Sequence, residues 1–421
     1  MKLITKAPRG TADVLPPETA KWQYVLNTAK KAAADFNLKE IKTPVFEHTE
    51  LFERGVGGTT DVVQKEMYTF LDKGERSITL RPEGTASVVR AVLESGVYGG
   101  LMPLKYYYEI SCFRYEKPQA GRLREFHQFG AEIFGAKSVA ADVEIITLGA
   151  EILRRLGIKD VRLAINSIGC KECRAEYRKA LVNYFSDYKD KLCETCLSRL
   201  EKNPMRILDC KSEICREINK GAPSILDYLC DDCKKDFGEL KKNLDAVGLE
   251  YEVDDRVVRG LDYYNGVVFE FSNASIGAQA QLLAGGRYDG LAAEIGGEEL
   301  AGLGFGMGIE RIILVMENQG LFGDIAEKKD IFIANVGENG MAEAVKLVNA
   351  LRKDGLSAEC ELCGRGLKAQ LRYADKNGYR YTAVIGDDEV ASKTLKLKNM
   401  QIGESTDVPF EKLADAVKEG R

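Results

Sequence analysis

This 421-residue chain predicts an α+β domain on an antiparallel sheet, interrupted by a helical insertion and followed by a small α/β domain. Three observations carry that expectation. Leu104 to Ser111 and Phe126 to Phe134 are apolar-rich runs joined by a polar loop, Lys117 to Glu125, which reads as a long antiparallel hairpin. From about Ser167 to Val253 the pattern changes to short helical pieces rich in Cys, Lys and Glu, with no long strand. After Gly323 strand and helix patterns alternate, which implies a sheet with helices on its faces. The expected boundaries are 1–322 for the first domain, 167–253 for its insertion, and 323–421 for the last.

The elements follow in order. Pro16-Pro17-Glu18 opens a helix, because proline is tolerated in a first turn, and Trp22, Leu26, Ala29, Ala33 and Phe36 recur at helical spacing. A strand runs from about Glu40 through Pro44 towards His48. Ser77 to Leu80 alternates as a strand, and Arg81-Pro82-Glu83-Gly84-Thr85 breaks it before a helix carrying Val88, Val89 and Val92. The hairpin comes next, with Phe113-Arg114-Tyr115-Glu116 at the end of its first strand. Alternation puts Gln128, Gly130 and Glu132 on one face of the return strand. Beyond the insertion, strands resume at Val267 and end in Gly302-Leu303-Gly304-Phe305-Gly306-Met307-Gly308, before the helix Ile309 to Leu314. Ile331 to Asn335 and Tyr381 to Ile385 are apolar strands; Met341 to Arg352 and Gly366 to Asn377 are helical.

Composition narrows the function. Hydrophobic residues make up 45% and charged residues 30%, ordinary for a soluble globular protein. No apolar run reaches about 18 residues and the N-terminus lacks a secretory stretch, so a cytoplasmic protein is expected. A net charge of −5 argues against indiscriminate nucleic-acid binding, although local patches can still meet phosphates. One candidate patch spans Arg365 to Lys398, with eight Lys and Arg against four Asp and Glu; a solvated helix face is the other reading. Eight of the eleven cysteines lie between Cys170 and Cys233. The pairs Cys170-x2-Cys173, Cys193-x2-Cys196 and Cys230-x2-Cys233, with Cys210 and Cys215 between, would serve two four-cysteine zinc sites, or one with spare thiols. Buried reduced cysteines packed as small hydrophobes are the alternative. Cys360-x2-Cys363 has no second pair nearby.

Arg259-Gly260-Leu261-Asp262-Tyr263-Tyr264 stands just before the alternating run Val267 to Phe271. At the mouth of a strand, a guanidinium and phenol hydroxyls can converge on a small polar ligand. Together with Ala284-Gly285-Gly286-Arg287-Tyr288-Asp289-Gly290-Leu291, this stretch resembles the histidine-specific signatures of the histidyl-tRNA synthetase family. Phe113-Arg114-Tyr115-Glu116 resembles class II synthetase motif 2, Gly308-Ile309-Glu310-Arg311 resembles motif 3, and the first helix and strand resemble motif 1, the dimer-forming element. The glycines Gly302, Gly304, Gly306 and Gly308 recur every second residue, which does not fit a G-x-G-x-x-G dinucleotide turn, and no G-x-x-x-x-G-K-[ST] stretch occurs. Bound ATP would therefore be held by arginines.

The resemblance spans nearly the whole chain. It implies a class II catalytic domain on an antiparallel sheet with a helical insertion, then an α/β anticodon-binding domain. The implied activity is ATP-dependent ligation of L-histidine to histidine tRNA through histidyl-adenylate, by a homodimer, with Mg2+ accompanying ATP. Carried over residue by residue, Glu83, Thr85, Gln128, Glu132, Tyr263 and Tyr264 line the histidine pocket. Arg114, Glu116, Arg259 and Arg311 bind ATP, and Arg259 and Arg114 are catalytic. Gln119, Arg122 and Arg124 face the tRNA acceptor stem. Arginine suits phosphate because its fork pairs bidentately and keeps its charge. The bland alternatives are an Arg114–Glu116 ion pair and a salt bridge from Arg259 to Asp254 or Asp255. His48 and His127, the only histidines, read as structural. A non-catalytic, synthetase-like regulatory subunit of ATP phosphoribosyltransferase is the alternative function. It typically lacks the terminal domain and an intact Arg-Gly-Leu-Asp-Tyr-Tyr stretch, and both are present here. A class II synthetase for another amino acid is a further rival, opposed by Arg259 and the tyrosine pair.

Overall fold

The hairpin is the spine of the larger sheet. The computed structural model describes residues 4–58, 60–210, 212–323, 325 and 329–419, with 278 and 279 by their backbone only. These fall into two units, Met1–Ile325 and Ala326–Arg421.

In the first unit, helix α1 (Glu18–Asp35) buries Val25, Ala29, Ala32 and Ala33 and leads to strand β1 (Lys39–Glu40). The single strand expected from Glu40 to His48 is two strands: β2 (Phe46–His48) belongs to a separate sheet. Pro44 has no N–H to donate to a ladder, and the buried Arg81 guanidinium instead caps the Thr43 and Pro44 carbonyls at 2.9 and 3.0 Å. After helix α2 (Thr49–Phe52), β3 (Tyr68–Leu71) and β4 (Ser77–Leu80) complete that small sheet, ordered β2-β4-β3, before helix α3 (Thr85–Ser95).

Strands β5 (Leu104–Phe113) and β6 (Glu125–Phe134) pair antiparallel along their full length. Arg114 and Glu116 lie beyond the end of β5, not on it, although the Arg114 N–H still reaches the Arg124 carbonyl. Helix α4 (Val139–Arg155) and strand β7 (Arg162–Ser167) come next, followed by α5 (Lys171–Ser186), α6 (Glu194–Lys202), α7 (Glu213–Asn219) and α8 (Asp231–Ala246). Strand β8 (Glu252–Val253) returns to the sheet, then β9 (Asn265–Ser272), β10 (Gln281–Arg287), short α9 (Leu291–Glu294), β11 (Gly302–Gly308) and α10 (Ile309–Asn318). The order is β1-β5-β6-β11-β10-β9-β7-β8, antiparallel from β5 to β7 with a parallel strand at each edge.

Period-two alternation divides this sheet. Phe129, Ala131 and Ile133 of β6, Leu303, Phe305 and Met307 of β11, and Val267, Phe269 and Phe271 of β9 share one core with α1, α4 and α10. Helix α8 joins that core through Phe237, Leu240 and Leu244, while Cys233 in its first turn packs against the separate core of α5 to α7 and their connections. The opposite face carries Tyr108, Glu132, Val268 and the β11 glycines. Two glycines there have a steric reason. A Cβ on Gly304 would stand 1.7 Å from Glu132 Oε2, and one on Gly130 would stand 2.1 Å from the Tyr108 ring.

The second unit holds β12 (Lys329–Asn335), α11 (Gly337–Lys353), β13 (Ala358–Cys360), α12 (Leu367–Lys376), β14 (Tyr379–Ile385), α13 (Asp387–Ser392), β15 (Thr394–Asn399), β16 (Ser405–Pro409) and α14 (Leu413–Glu419). Its sheet runs β13-β12-β14-β15-β16, parallel over the first three strands and antiparallel over the last two pairs. No helix among the described residues is long and apolar enough to cross a membrane.

Candidate functional site

The glycine-lined face opens into a cleft of about 350 Å³ bordered by the β5–β6 loop, the start of α3, the 259–264 loop and the start of α10. Its lining includes Glu83, Thr85, Arg114, Glu116, Arg122, Gln128, Arg259, Tyr263, Tyr264 and Arg311, so residues from five separate stretches meet in one place. Glu132 stands directly behind it.

One end of the cleft is acidic and phenolic. Glu83 precedes α3, and its buried carboxylate accepts from the Thr85 and Ala86 N–H groups at 2.7 and 2.8 Å, the free donors of a helix N-terminus. Burial pushes its carboxyl above the usual range, opposed by those two N–H bonds. Glu132, fully buried, accepts from Thr85 (2.8 Å), Tyr108 (2.9 Å) and Tyr288 (2.5 Å) hydroxyls. Desolvation lifts it to about 8, with the three hydroxyl bonds acting against that rise. Tyr263 and Tyr264 pack at 4.6 Å between centroids, both edge-on to Tyr288, and burial raises the Tyr264 phenol to about 12. Both phenols therefore remain hydrogen-bond donors at neutral pH. This end suits a cationic amine and a polar ring.

The other end is rich in guanidinium groups. Arg259 is 12% exposed at its side chain, and its Nη1 donates to Glu270 at 3.2 Å. Its buried Nε has no hydrogen-bond partner, which leaves donor capacity beside the cleft. The expected bland partners are engaged elsewhere, Asp254 with Arg162 and Asp255 with Arg256. Arg114 donates to the Pro82 carbonyl at 2.9 Å and lies over the Phe126 ring. Its nitrogen is 4.0 Å from Glu116, so the bland Arg114–Glu116 pair is loose, and Glu116 is held by Arg122 at 2.5 Å. Arg311, in the first turn of α10, donates to the Gly121 and Gln281 carbonyls and so ties the β5–β6 loop to β10.

That loop turns tightly, with Gln119 and Arg122 exchanging backbone hydrogen bonds and Gln119 exposed. Arg124 stands over Tyr115, its guanidinium carbon 3.7 Å from the ring centroid, and donates to the Glu116 carbonyl. His127 donates its N–H to Glu310 and stands edge-on to Trp22, a structural placement. Arg287, from the second signature, is sealed against Asp142 at 2.6 Å and the Ala136 and Ser138 carbonyls, where it fixes α4.

The eight clustered cysteines sort into two groups, Cys170–Cys173–Cys230–Cys233 and Cys193–Cys196–Cys210–Cys215, each with all sulfurs within 4.8 Å of one another. Sequence reasoning missed Tyr108 and Tyr288 as the clamps on Glu132. The signal was available for Tyr108, which the hairpin register sets opposite Gly130, where an absent side chain leaves room for its ring. In the second unit, Lys368, Arg372 and Lys376 recur every fourth residue on α12 and are exposed, as are Lys396 and Lys398 on β15. Arg365 and Arg380 are instead paired with Glu361 and Asp330.

Against known proteins, the family model for histidyl-tRNA synthetase matches residues 10–175 and 211–312, and that for an anticodon binding domain matches 330–420. The chain is 53% identical over 416 residues to a histidine–tRNA ligase of Acetivibrio thermocellus, covering 99% of this chain and 100% of that one. It is 50% identical over 413 residues to one of Halothermothrix orenii, covering 98% and 99%. The crystal structure of apo S. aureus histidyl-tRNA synthetase superposes with a TM-score of 0.84 at 39% identity, covering 99% of this chain and 100% of that one.

Proposed function

The chain belongs to the histidyl-tRNA synthetase family and is a histidine–tRNA ligase, and from that premise we propose how its cleft performs the reaction. The regulatory-subunit alternative gives way to relatives that are histidine–tRNA ligases along nearly the whole chain. Histidine lies at the acidic end, its ammonium toward Glu83 and Thr85. Its ring lies among Gln128, Tyr263 and Tyr264, with Glu132 fixing the wall behind. ATP, entering with Mg2+, lies along the arginines: Arg114 on the α-phosphate, Glu116 by the adenine amine, Arg311 toward the γ-phosphate. The histidine carboxylate attacks the α-phosphorus, an O–P bond forms, and pyrophosphate leaves. That carboxylate is ionised at pH 7, so the step needs no general base. Negative charge builds at phosphorus, and Arg259 stabilises it. The 3′-terminal ribose hydroxyl of the tRNA then attacks the adenylate carbonyl and releases AMP, with the loop carrying Gln119, Arg122 and Arg124 meeting the acceptor stem.

The observation that carries this reading is Arg259: a nearly buried guanidinium at the cleft with an unsatisfied Nε. The pocket's phenols and carboxyls give the specificity, because a site built to hydrogen-bond rejects shape mimics that cannot. The last unit reads the anticodon, its exposed Lys and Arg meeting phosphates. The first helix and strand form a homodimer interface, and the exposed apolar side chains of Val45 and Phe46, which follow that strand, extend it. Both four-cysteine groups hold structural zinc, and the protein works in the cytoplasm. The test of the central reading is amino-acid-dependent exchange of labelled pyrophosphate into ATP. Histidine alone should support it; exchange driven equally by another amino acid, or by none, refutes the assignment of the pocket.

A further inference from the structure

The Arg259–Tyr264 loop carries the groups on which the reaction turns, yet residues 255–264 form no helix or strand. Its backbone carbonyls and Asp262 are gripped by side chains from the insertion. Arg206 donates to the Gly260 carbonyl at 2.7 Å, Asn203 to Asp262 at 3.0 Å, and Arg174 to the Tyr264 carbonyl at 3.0 Å. Arg199 braces Arg206 through its carbonyl at 3.0 Å and anchors to Asp61 at 2.7 Å. Each gripping residue sits beside a four-cysteine group. Arg174 follows Cys173 directly, and Arg199, Asn203 and Arg206 lie between Cys196 and Cys210.

The groups themselves have the form of metal sites. Observed Sγ separations include 3.5 and 4.0 Å in the first and 3.8 Å in the second. A tetrahedral zinc–thiolate centre with bonds of about 2.3 Å needs sulfurs about 3.8 Å apart. These spacings exclude disulfides, whose sulfurs stand about 2.05 Å apart. Cys170, Cys193 and Cys230 each occupy the residue just before a helix, so each group sits at a helix N-terminus. Backbone N–H groups of Cys230 and Cys193 point at the sulfurs of Cys173 and Cys215, at 3.1 and 3.4 Å, as ligand-supporting donors do. Cysteines that packed merely as hydrophobes would have no reason to converge sulfur on sulfur in two sets of four. The insertion core around them is small, the circumstance in which bound metal contributes most to folding.

We propose that zinc in these two four-cysteine sites holds the Arg259–Tyr264 loop in register over the cleft, so that adenylate formation depends on metal bound outside the active site. This rests on the zinc reading of the clusters, and the experiment separates the two. Full-length protein purified without chelator should carry two zinc ions per chain by elemental analysis, one per cluster. After stripping by a chelator, and desalting before Mg2+-ATP is added, histidine-dependent pyrophosphate exchange should fall and should return when zinc is restored. A second arm leaves the cysteines intact. The double variant Arg174→Met, Arg206→Met should retain both zinc ions but lose exchange rate on the order of tenfold, the worth of two lost hydrogen bonds. The KM for ATP should change less than the rate, because Arg114 and Arg311 are not on the loop, and Arg206→Lys should recover part of the single-site loss. Absence of metal from freshly purified protein ends the zinc reading and this inference together. Zinc present, with the double variant exchanging at the parent rate, overturns the positioning role alone. If stripping unfolds the chain beyond recovery, the double variant alone decides.

Discussion

Changing Arg259 to Ala removes a guanidinium that the structure equips for one of two tasks, and the two can be told apart. In the catalytic reading, its free donor capacity meets charge that develops at phosphorus. Losing one such donor costs about 2.7–4 kcal/mol, roughly 100- to 1,000-fold in the adenylation rate. Histidine and ATP affinities should change far less, because the charge exists only in the transition state. In the structural reading, Arg259 only neutralises Glu270, 3.2 Å away and 28% exposed at its side chain. The cost would then be an unpaired, partly solvated carboxylate. It would appear as lowered thermal stability, and removing the second charge would relieve it. Single-turnover formation of histidyl-adenylate in Arg259→Ala, and in the pair Arg259→Ala with Glu270→Gln, measures both. We expect a loss of roughly 100-fold or more that the second substitution does not restore. A single variant within about tenfold of the parent, or a double variant restored to it, would refute the reasoning.

Three other outcomes are expected. Gly304→Ala would press a methyl against Glu132 and the Ala131 carbonyl, so calorimetry should show about 1–3 kcal/mol of lost stability and histidine KM should rise; Gly290→Ala, with nothing within 4 Å, should do neither, and equal behaviour of the two would contradict the packing argument. Changing both Cys193 and Cys196 to Ser should remove one of the two zinc ions and loosen the insertion in hydrogen exchange, whereas an unchanged zinc content would show that this cluster is not the ligand set. A chain ending near Phe322 should still form measurable histidyl-adenylate but charge tRNA far less efficiently than the full chain; equal charging would remove the anticodon-reading role from the last unit.

Much of this protein is legible residue by residue because the relevant signals are local. Period-two alternation marks β5, β6 and β9, and the same alternation sets Gln128, Gly130 and Glu132 toward the cleft and Phe129, Ala131 and Ile133 away from it. The spacing of Arg114, Arg259 and Arg311 within their motifs, and the pairing of cysteines three apart, are also properties of short stretches. Tertiary structure alone decided which distant stretches meet. Nothing in the spacing says that Cys170 and Cys173 join Cys230 and Cys233 while Cys193 and Cys196 join Cys210 and Cys215. Nor does it say that Arg259 faces Glu270, that Tyr108 and Tyr288 hold Glu132, or that α8 reaches the main core through Phe237, Leu240 and Leu244. The physical reason is that local pattern sets a side chain's face but not how distant elements pack. Periodicity fixes which face a side chain takes, whereas its partner is chosen in the sheet by strand order and register, and in the insertion by helix packing; the sheet brings together residues more than a hundred positions apart, such as Glu132 and Tyr288.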